Sequence, residues 1–96
     1  MLMVLRYLLD LSNNKKITYL INSSDAAKKI IIPDDNIIDM IRWTDSDITK
    51  FPINNLNPNT LTGIDIQGTN IKELDISKYP NIEYLYYDKD ITTIIK

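Results

Sequence analysis

Residues 61–79 read Leu61-Thr-Gly-Ile64-Asp-Ile66-Gln-Gly-Thr69-Asn-Ile71-Lys-Glu-Leu74-Asp-Ile76-Ser-Lys-Tyr79. The large apolar residues follow one another at steps of three, two, five, three, two and three. A helix repeats every 3.6 residues and a strand every two, so neither alone gives this spacing. A short strand, a turn and a second inward-facing stretch do. The segment therefore reads as one winding of a solenoid.

The same template fits the rest of the chain. One register back it gives Ile38, Ile41, Trp43, Ser46, Ile48, Phe51, Ile53 and Leu56. Two registers back it gives Ile17, Leu20, Asn22, Asp25, Ala27, Ile30 and Ile32. One register forward it gives Ile82, Leu85, Tyr87 and Asp90, then Ile91 and Ile94 after a loop shorter by one residue. The windings start at 17, 38, 61 and 82, spaced by 21, 23 and 21 residues. A period in this range marks a repeat architecture in which each unit buries its apolar face only against its neighbours. The chain is read as one domain, with a cap at 1–16 and repeats at 17–37, 38–60, 61–81 and 82–96. At the ninth template position stand Asp25, Ser46, Thr69 and Asp90. A polar side chain there can bond the backbone groups that the turn leaves facing inward.

Residues 1–16 support two readings. Met1, Val4, Leu5 and Leu8 lie at helical spacing. Leu5, Tyr7, Leu9 and Leu11 alternate instead, and Ser12-Asn13-Asn14-Lys15 is turn chemistry before Ile17–Ile21. The second reading, which is preferred, is a hairpin whose first strand runs antiparallel to the first repeat strand. Between the repeat strands the return segments carry no long helix. Asp25–Lys29 has room for one turn with Asp25 as its N-cap. Pro33–Asn36, Pro52–Pro58 and Lys78–Asn81 are turn material. Short return segments predict a thin, flattened β-solenoid.

The 96 residues are 44% hydrophobic and 25% charged with a net charge of −2, as for an ordinary globular domain. That charge, and eleven scattered Lys and Arg residues, give no field for steering onto nucleic acid. With no histidine or cysteine, the usual triads, thiol nucleophiles and imidazole metal sites have no residues to use. An acid pair, Asp65 with Asp88, is conceivable for glycoside hydrolysis, but the preferred reading is two solvated aspartates beside a ladder. Asp34-Asp35 and Asp45-Ser46-Asp47 lack the glycine and glutamate of a calcium loop. Gly63 and Gly68 form no phosphate-cradling motif. No enzyme activity, cofactor or metal is expected. The longest apolar run, broken by Arg6 and Asp10, is too short to span a bilayer, and no small-residue cleavage site follows it, so no membrane anchor is expected. The expected location is intracellular, in the cytoplasm of a producing or host cell. The excess of Ile and Asn suggests AT-rich coding, as in some large viruses, protists and low-GC bacteria.

Three segments carry a family likeness. FPINNLNPNTLTGIDI (51–66) resembles the short FNIP repeats. KKIIIPDDNIIDMI (28–41) resembles the I-x-I-P-x-x-V-x-x-I step of the BspA-like class. LDISKYPNIEYL (74–85) is similar to the L-D-L-S-x-x-P-x-L-x-x-L step of leucine-rich repeats. All three lie within residues 17–94, over which the likeness extends. Family members usually carry Asn or Cys at position nine, where this chain has Asp, Ser and Thr. The resemblance implies an α/β solenoid, here strand-dominated: a short leucine-rich repeat of about four coils with a parallel sheet and an N-terminal cap. It also implies a strand face that presents itself to another macromolecule.

Strand side chains alternate, so template positions 3, 5 and 7 point away from the core. They form three columns: Tyr19, Met40, Gly63 and Tyr84; Ile21, Arg42, Asp65 and Tyr86; Ser23, Thr44, Gln67 and Asp88. Tyr, Met and Arg are enriched at protein interfaces. Tyr19, Met40, Arg42, Asp65, Tyr84 and Tyr86 are the expected contacts with a protein partner, and Trp43 and Tyr87, at the inward sixth position, belong to the core. The last winding has no polar cap, so the segment Ile82–Lys96 is expected to leave an open edge suited to a homodimer. The expected function is a non-enzymatic protein-interaction module. The alternative is a small assembly component, of a virion for instance, joined edge to edge.

Overall fold

The 3-2-3-2 spacing is realised as strand, corner, strand, corner. The computed structural model describes residues 8–96. Its strands are β1 (Leu8–Asp10), β2 (Tyr19–Ser23), β3 (Lys29–Ile31), β4 (Met40–Thr44), β5 (Gly63–Asp65), β6 (Glu73–Asp75), β7 (Tyr84–Tyr86) and β8 (Thr93–Ile95). Among the described residues there is no helix. The main sheet is parallel, in the order β2-β4-β5-β7, one strand from each of four windings. Its register puts Leu20, Ile41, Ile64 and Leu85 side by side, the template's fourth position in every winding. The chain is a flat β-solenoid with extents of 41 × 30 × 15 Å.

The core lies between this sheet and the return strands. Ile41, Ile64, Leu61 and Ile71 are fully buried, and Trp43, Ile38, Ile66, Ile53 and Leu56 nearly so. Burying one such aliphatic side chain contributes about 1.5–3 kcal/mol, and the stack repeats that contribution from winding to winding. Leu85, Tyr87 and Ile94, in the last winding, are only half-buried against the cluster.

The return side forms two parallel pairs, β1 with β3 and β6 with β8. The segment Phe51–Ile53 sits between them without joining either. Pro52 has no N–H to give a ladder and bends the chain there. A groove opens on each side of that segment, of about 410 Å³ toward β3 and about 350 Å³ toward β6.

The N-terminal segment departs from the hairpin expectation. Leu8–Asp10 pairs in parallel with Lys29–Ile31, a return strand, and not antiparallel with β2. The cause is a repeat. Leu9-Asp10-Leu11-Ser12 stacks on the first winding as Leu74-Asp75-Ile76-Ser77 stacks beside β8. In both, the aspartate Oδ1 accepts the N–H of the serine two residues on at 2.9 Å, and hydrogen bonding from that serine, by its hydroxyl first and its backbone second, lowers the Asp10 and Asp75 pKa values from the usual carboxylate value. Residues 1–7, on which most of the helical reading rests, lie outside the described residues.

The corners after β2, β4 and β5 each turn on a left-handed residue. Ser24, Asp45 and Gly68 hold the equivalent position, with φ of 55°, 55° and 77°. Asp25 is also left-handed, at 56°, so it starts no helix. Successive corners are tied by Ser24 N–H to Thr44 O, Asp45 N–H to Gln67 O and Ser46 N–H to Gly68 O, each at 3.1 Å. The Gly68 N–H itself donates to the Asp88 carboxylate at 2.7 Å. A Cβ on Gly68 would come within 3.0 Å of the Asp45 backbone nitrogen, so the third corner has room only for glycine.

The polar ladder at position nine is short. Ser46 Oγ donates to Asp25, Thr69 Oγ1 donates within its own winding to Ile66 O at 2.8 Å, and Asp90 is exposed. Asparagines do the rest. Asn22, inward at position six, donates to Ala27 O at 2.7 Å and accepts the Ala27 N–H at 2.9 Å. At the opposite corner buried Asn36 donates to Pro33 O and Asn55 O, each at 2.9 Å, and the Asn36 carbonyl accepts from Asn57 at 2.9 Å.

Candidate functional site

The outward face of the main sheet gathers most of the aromatic surface. Parallel pairing sets Tyr19 beside Met40, Met40 beside Gly63 and Gly63 beside Tyr84; two residues on, it sets Ile21, Arg42, Asp65 and Tyr86 in a row. Tyr19, Tyr84, Tyr86 and Ile21 are exposed by 48%, 53%, 43% and 59%. Tyr19, Met40, Arg42, Tyr84 and Tyr86 line one groove of about 340 Å³, together with Asp39 and Thr62.

Two of the expected contacts are covered, not exposed. Met40 is buried because Gly63, its neighbour on β5, has no side chain; the Met40 thioether lies across it where a Cβ would overlap the sulfur. Met40 therefore forms the floor of the groove. Asp65 is only 3% exposed. Its Oδ2 accepts from Arg42 Nη1 at 2.8 Å and its Oδ1 from the Gln67 N–H at 3.0 Å. Asp65 thus lies beneath the guanidinium, and a partner meets Arg42 first.

Arg42 ties the face together. Its Nε donates to the Tyr19 hydroxyl, and its guanidinium carbon lies 5.9 Å from the ring centroids of both Tyr19 and Tyr86. The hydrogen bond to Tyr19, with Asp65 adding its charge, raises the Arg42 pKa above the usual guanidinium value. The result is a cation held between two rings with its charge matched from below.

The acid pair does not form. Asp65 is engaged by Arg42, and Asp88 accepts from Gly68. Among the described residues no group of three or more His, Cys, Asp or Glu side chains is placed to hold a metal ion. Asp39 and Thr62 escaped the sequence reading because it followed columns three, five and seven. They stand at template position two, with Thr18 and Glu83, and of that row Asp39 and Thr62 reach the groove.

No protein-family model, curated protein or solved structure matches the chain.

Proposed function

We propose that this solenoid is a small repeat module, of the leucine-rich-repeat kind, that binds a protein partner through the outward face of its main sheet and carries out no chemistry. The observation that supports this reading is the convergence of Tyr19, Met40, Arg42, Tyr84 and Tyr86 on one groove. Tyrosine brings large contact area at small entropic cost, and arginine and methionine are enriched at such surfaces. The rings stand on strands, and Arg42 pins Tyr19 and Tyr86 before any partner arrives, so little ordering is left for binding to drive. Replacing Tyr84 and Tyr86 together by alanine is expected to abolish retention of a discrete partner from the native source. The melting temperature should fall by no more than a few degrees, because both rings are exposed. Undiminished retention by the double variant excludes this face.

A second reading is favoured by the last winding. Its inward residues Leu85, Tyr87 and Ile94 are only half-buried, and β7 and β8 are both edge strands at the same end. An edge with unpaired backbone groups beside apolar side chains is a template for a second chain. Edge-to-edge assembly through Ile82–Lys96 would cover both. Light scattering on the pure protein across a micromolar concentration series distinguishes the readings. A strict monomer removes the edge-to-edge role, and a dimer lost on Leu85→Lys establishes the end as its interface.

A further inference from the structure

We infer that the occupant of the groove is a lysine- or arginine-bearing extended polypeptide segment; this deepens the proposed protein-binding role and rests on it. The argument is one of charge and of ring faces. Arg42 and Asp65 cancel each other at 2.8 Å, so neither adds net charge to the face. What remains is Asp39, which lines the groove, and Glu83, which follows Asp39 and Thr62 in the same row of the sheet one residue before Tyr84; both are exposed and, among the described residues, in no ion pair. Their backbones are successive rungs of one ladder: Asp39 O accepts from the Thr62 and Gly63 N–H groups, and Thr62 O accepts from those of Glu83 and Tyr84. Two rungs separate them by about 9.6 Å. Side chains two apart on an extended chain share one face about 6.8 Å from each other, and the length of a lysine or arginine stem covers the remaining few ångströms, so alternating basic residues can meet one carboxylate each.

The rings supply the second half of the recognition. Tyr19 and Tyr86 already hold one cation, the guanidinium of Arg42, against their faces at 5.9 Å. Tyr84, the most exposed of the three, has no such cation among the described residues. It stands next to Glu83 in sequence and opposite Gly63, over which the Met40 thioether lies. An incoming ammonium or guanidinium therefore finds a ring face, a carboxylate and a polarizable sulfur floor in one groove. An acidic segment would meet Asp39 and Glu83 as like charges, and the positive charge of Arg42 is already engaged.

The test uses the whole protein and two acetylated, amidated octapeptides, one alternating leucine with lysine and one alternating leucine with glutamate. Ring signals of Tyr84 and Tyr86 are followed by NMR during titration. The lysine peptide should shift them, with an affinity that falls at least threefold in the Asp39→Asn/Glu83→Gln variant and again on raising the salt from about 50 to 300 mM. The glutamate peptide should leave them unmoved. Equal binding of both peptides, or affinity for the lysine peptide indifferent to Asp39→Asn/Glu83→Gln, overturns the inference. Failure here with loss of the native partner in Tyr84→Ala/Tyr86→Ala would leave the interaction face standing and reject only its basic occupant. Retention of that partner by the tyrosine variant would reject the face itself.

Discussion

Trp43→Ala is expected to lower stability by about 3–5 kcal/mol, the range for deleting a buried aromatic side chain. The whole fold of a chain this long is worth about 5–14 kcal/mol, so this one change removes from about a fifth to all of it. The corresponding fall in melting temperature is about 15–30 °C. The size of the effect comes from where Trp43 stands. It is 1% exposed, on the central strand β4, facing the core beside Asn22 of the preceding winding. A solenoid passes stability only between neighbours, so a cavity in an inner winding weakens both of its contacts, whereas one at the end weakens a single contact. Part of the gain from burying Trp43 is offset already, because its indole N–H is buried with no hydrogen-bond partner among the described residues, at a cost of about 1–3 kcal/mol. Trp43→Phe removes that orphan donor together with some area and should cost no more than about 2 kcal/mol. Urea denaturation followed by circular dichroism measures both variants. A loss below about 1 kcal/mol for Trp43→Ala would mean that this ring does not hold the windings together. As the only tryptophan in the chain, it also gives the wild type a fluorescence that should shift to the red on unfolding.

The windings were legible because burial alone dictates their spacing. Ile41, Ile64 and Leu85 can lie side by side only if the chain advances one turn in 21 to 23 residues, and the apolar pattern repeats with that period. The flattened shape was legible for the same reason, since the return segments are too short for helices. The N-terminal return strand was hidden by a competing signal: Ser12-Asn13-Asn14-Lys15 has hairpin-turn composition, and that outweighed the match between Leu9-Asp10-Leu11-Ser12 and Leu74-Asp75-Ile76-Ser77. Turn composition fixes where a chain bends and leaves open which strand it bends toward. The face was legible as columns, because alternation decides which side chains point outward. Exposure within a column was not, since it depends on the neighbour one winding away. Met40 is covered because residue 63 is glycine, and Asp65 because residue 42 is an arginine long enough to lie over it. The polar ladder was expected at position nine, through Asp25, Ser46, Thr69 and Asp90, and formed largely through Asn22 and Asn36 instead, whose amides reach backbone groups that a shorter Ser or Thr cannot.

Arg42→Ala should cost about 2–4 kcal/mol, although nearly two-fifths of the Arg42 side chain is in contact with solvent. The arginine matters through what it covers. An exposed ion pair is worth about 0–1 kcal/mol; this one is asymmetric, with side-chain exposures of 38% for Arg42 and 4% for Asp65. Removing the arginine leaves the Asp65 carboxylate with one remaining donor, the Gln67 N–H at 3.0 Å; an uncompensated buried charge carries a penalty of several kcal/mol, of which water entering the space vacated by the arginine offsets a part. The adjacent rings lose their cation in the same step, which adds about 0.5–1 kcal/mol. Asp65→Asn separates these contributions. In the Arg42→Ala background it neutralises the stranded charge and keeps an oxygen for the Gln67 N–H, so the double variant should recover more than half of the loss. The remaining deficit then reports on the ring contacts and the packing of the arginine stem. Arg42→Lys should fall between, because a lysine nitrogen cannot satisfy the Tyr19 hydroxyl and the Asp65 carboxylate with the same planar fork. Chemical denaturation of the four proteins forms the cycle. If Asp65→Asn leaves Arg42→Ala as unstable as before, the penalty does not come from the buried charge, and Arg42 acts on the face only through its contacts with Tyr19 and Tyr86.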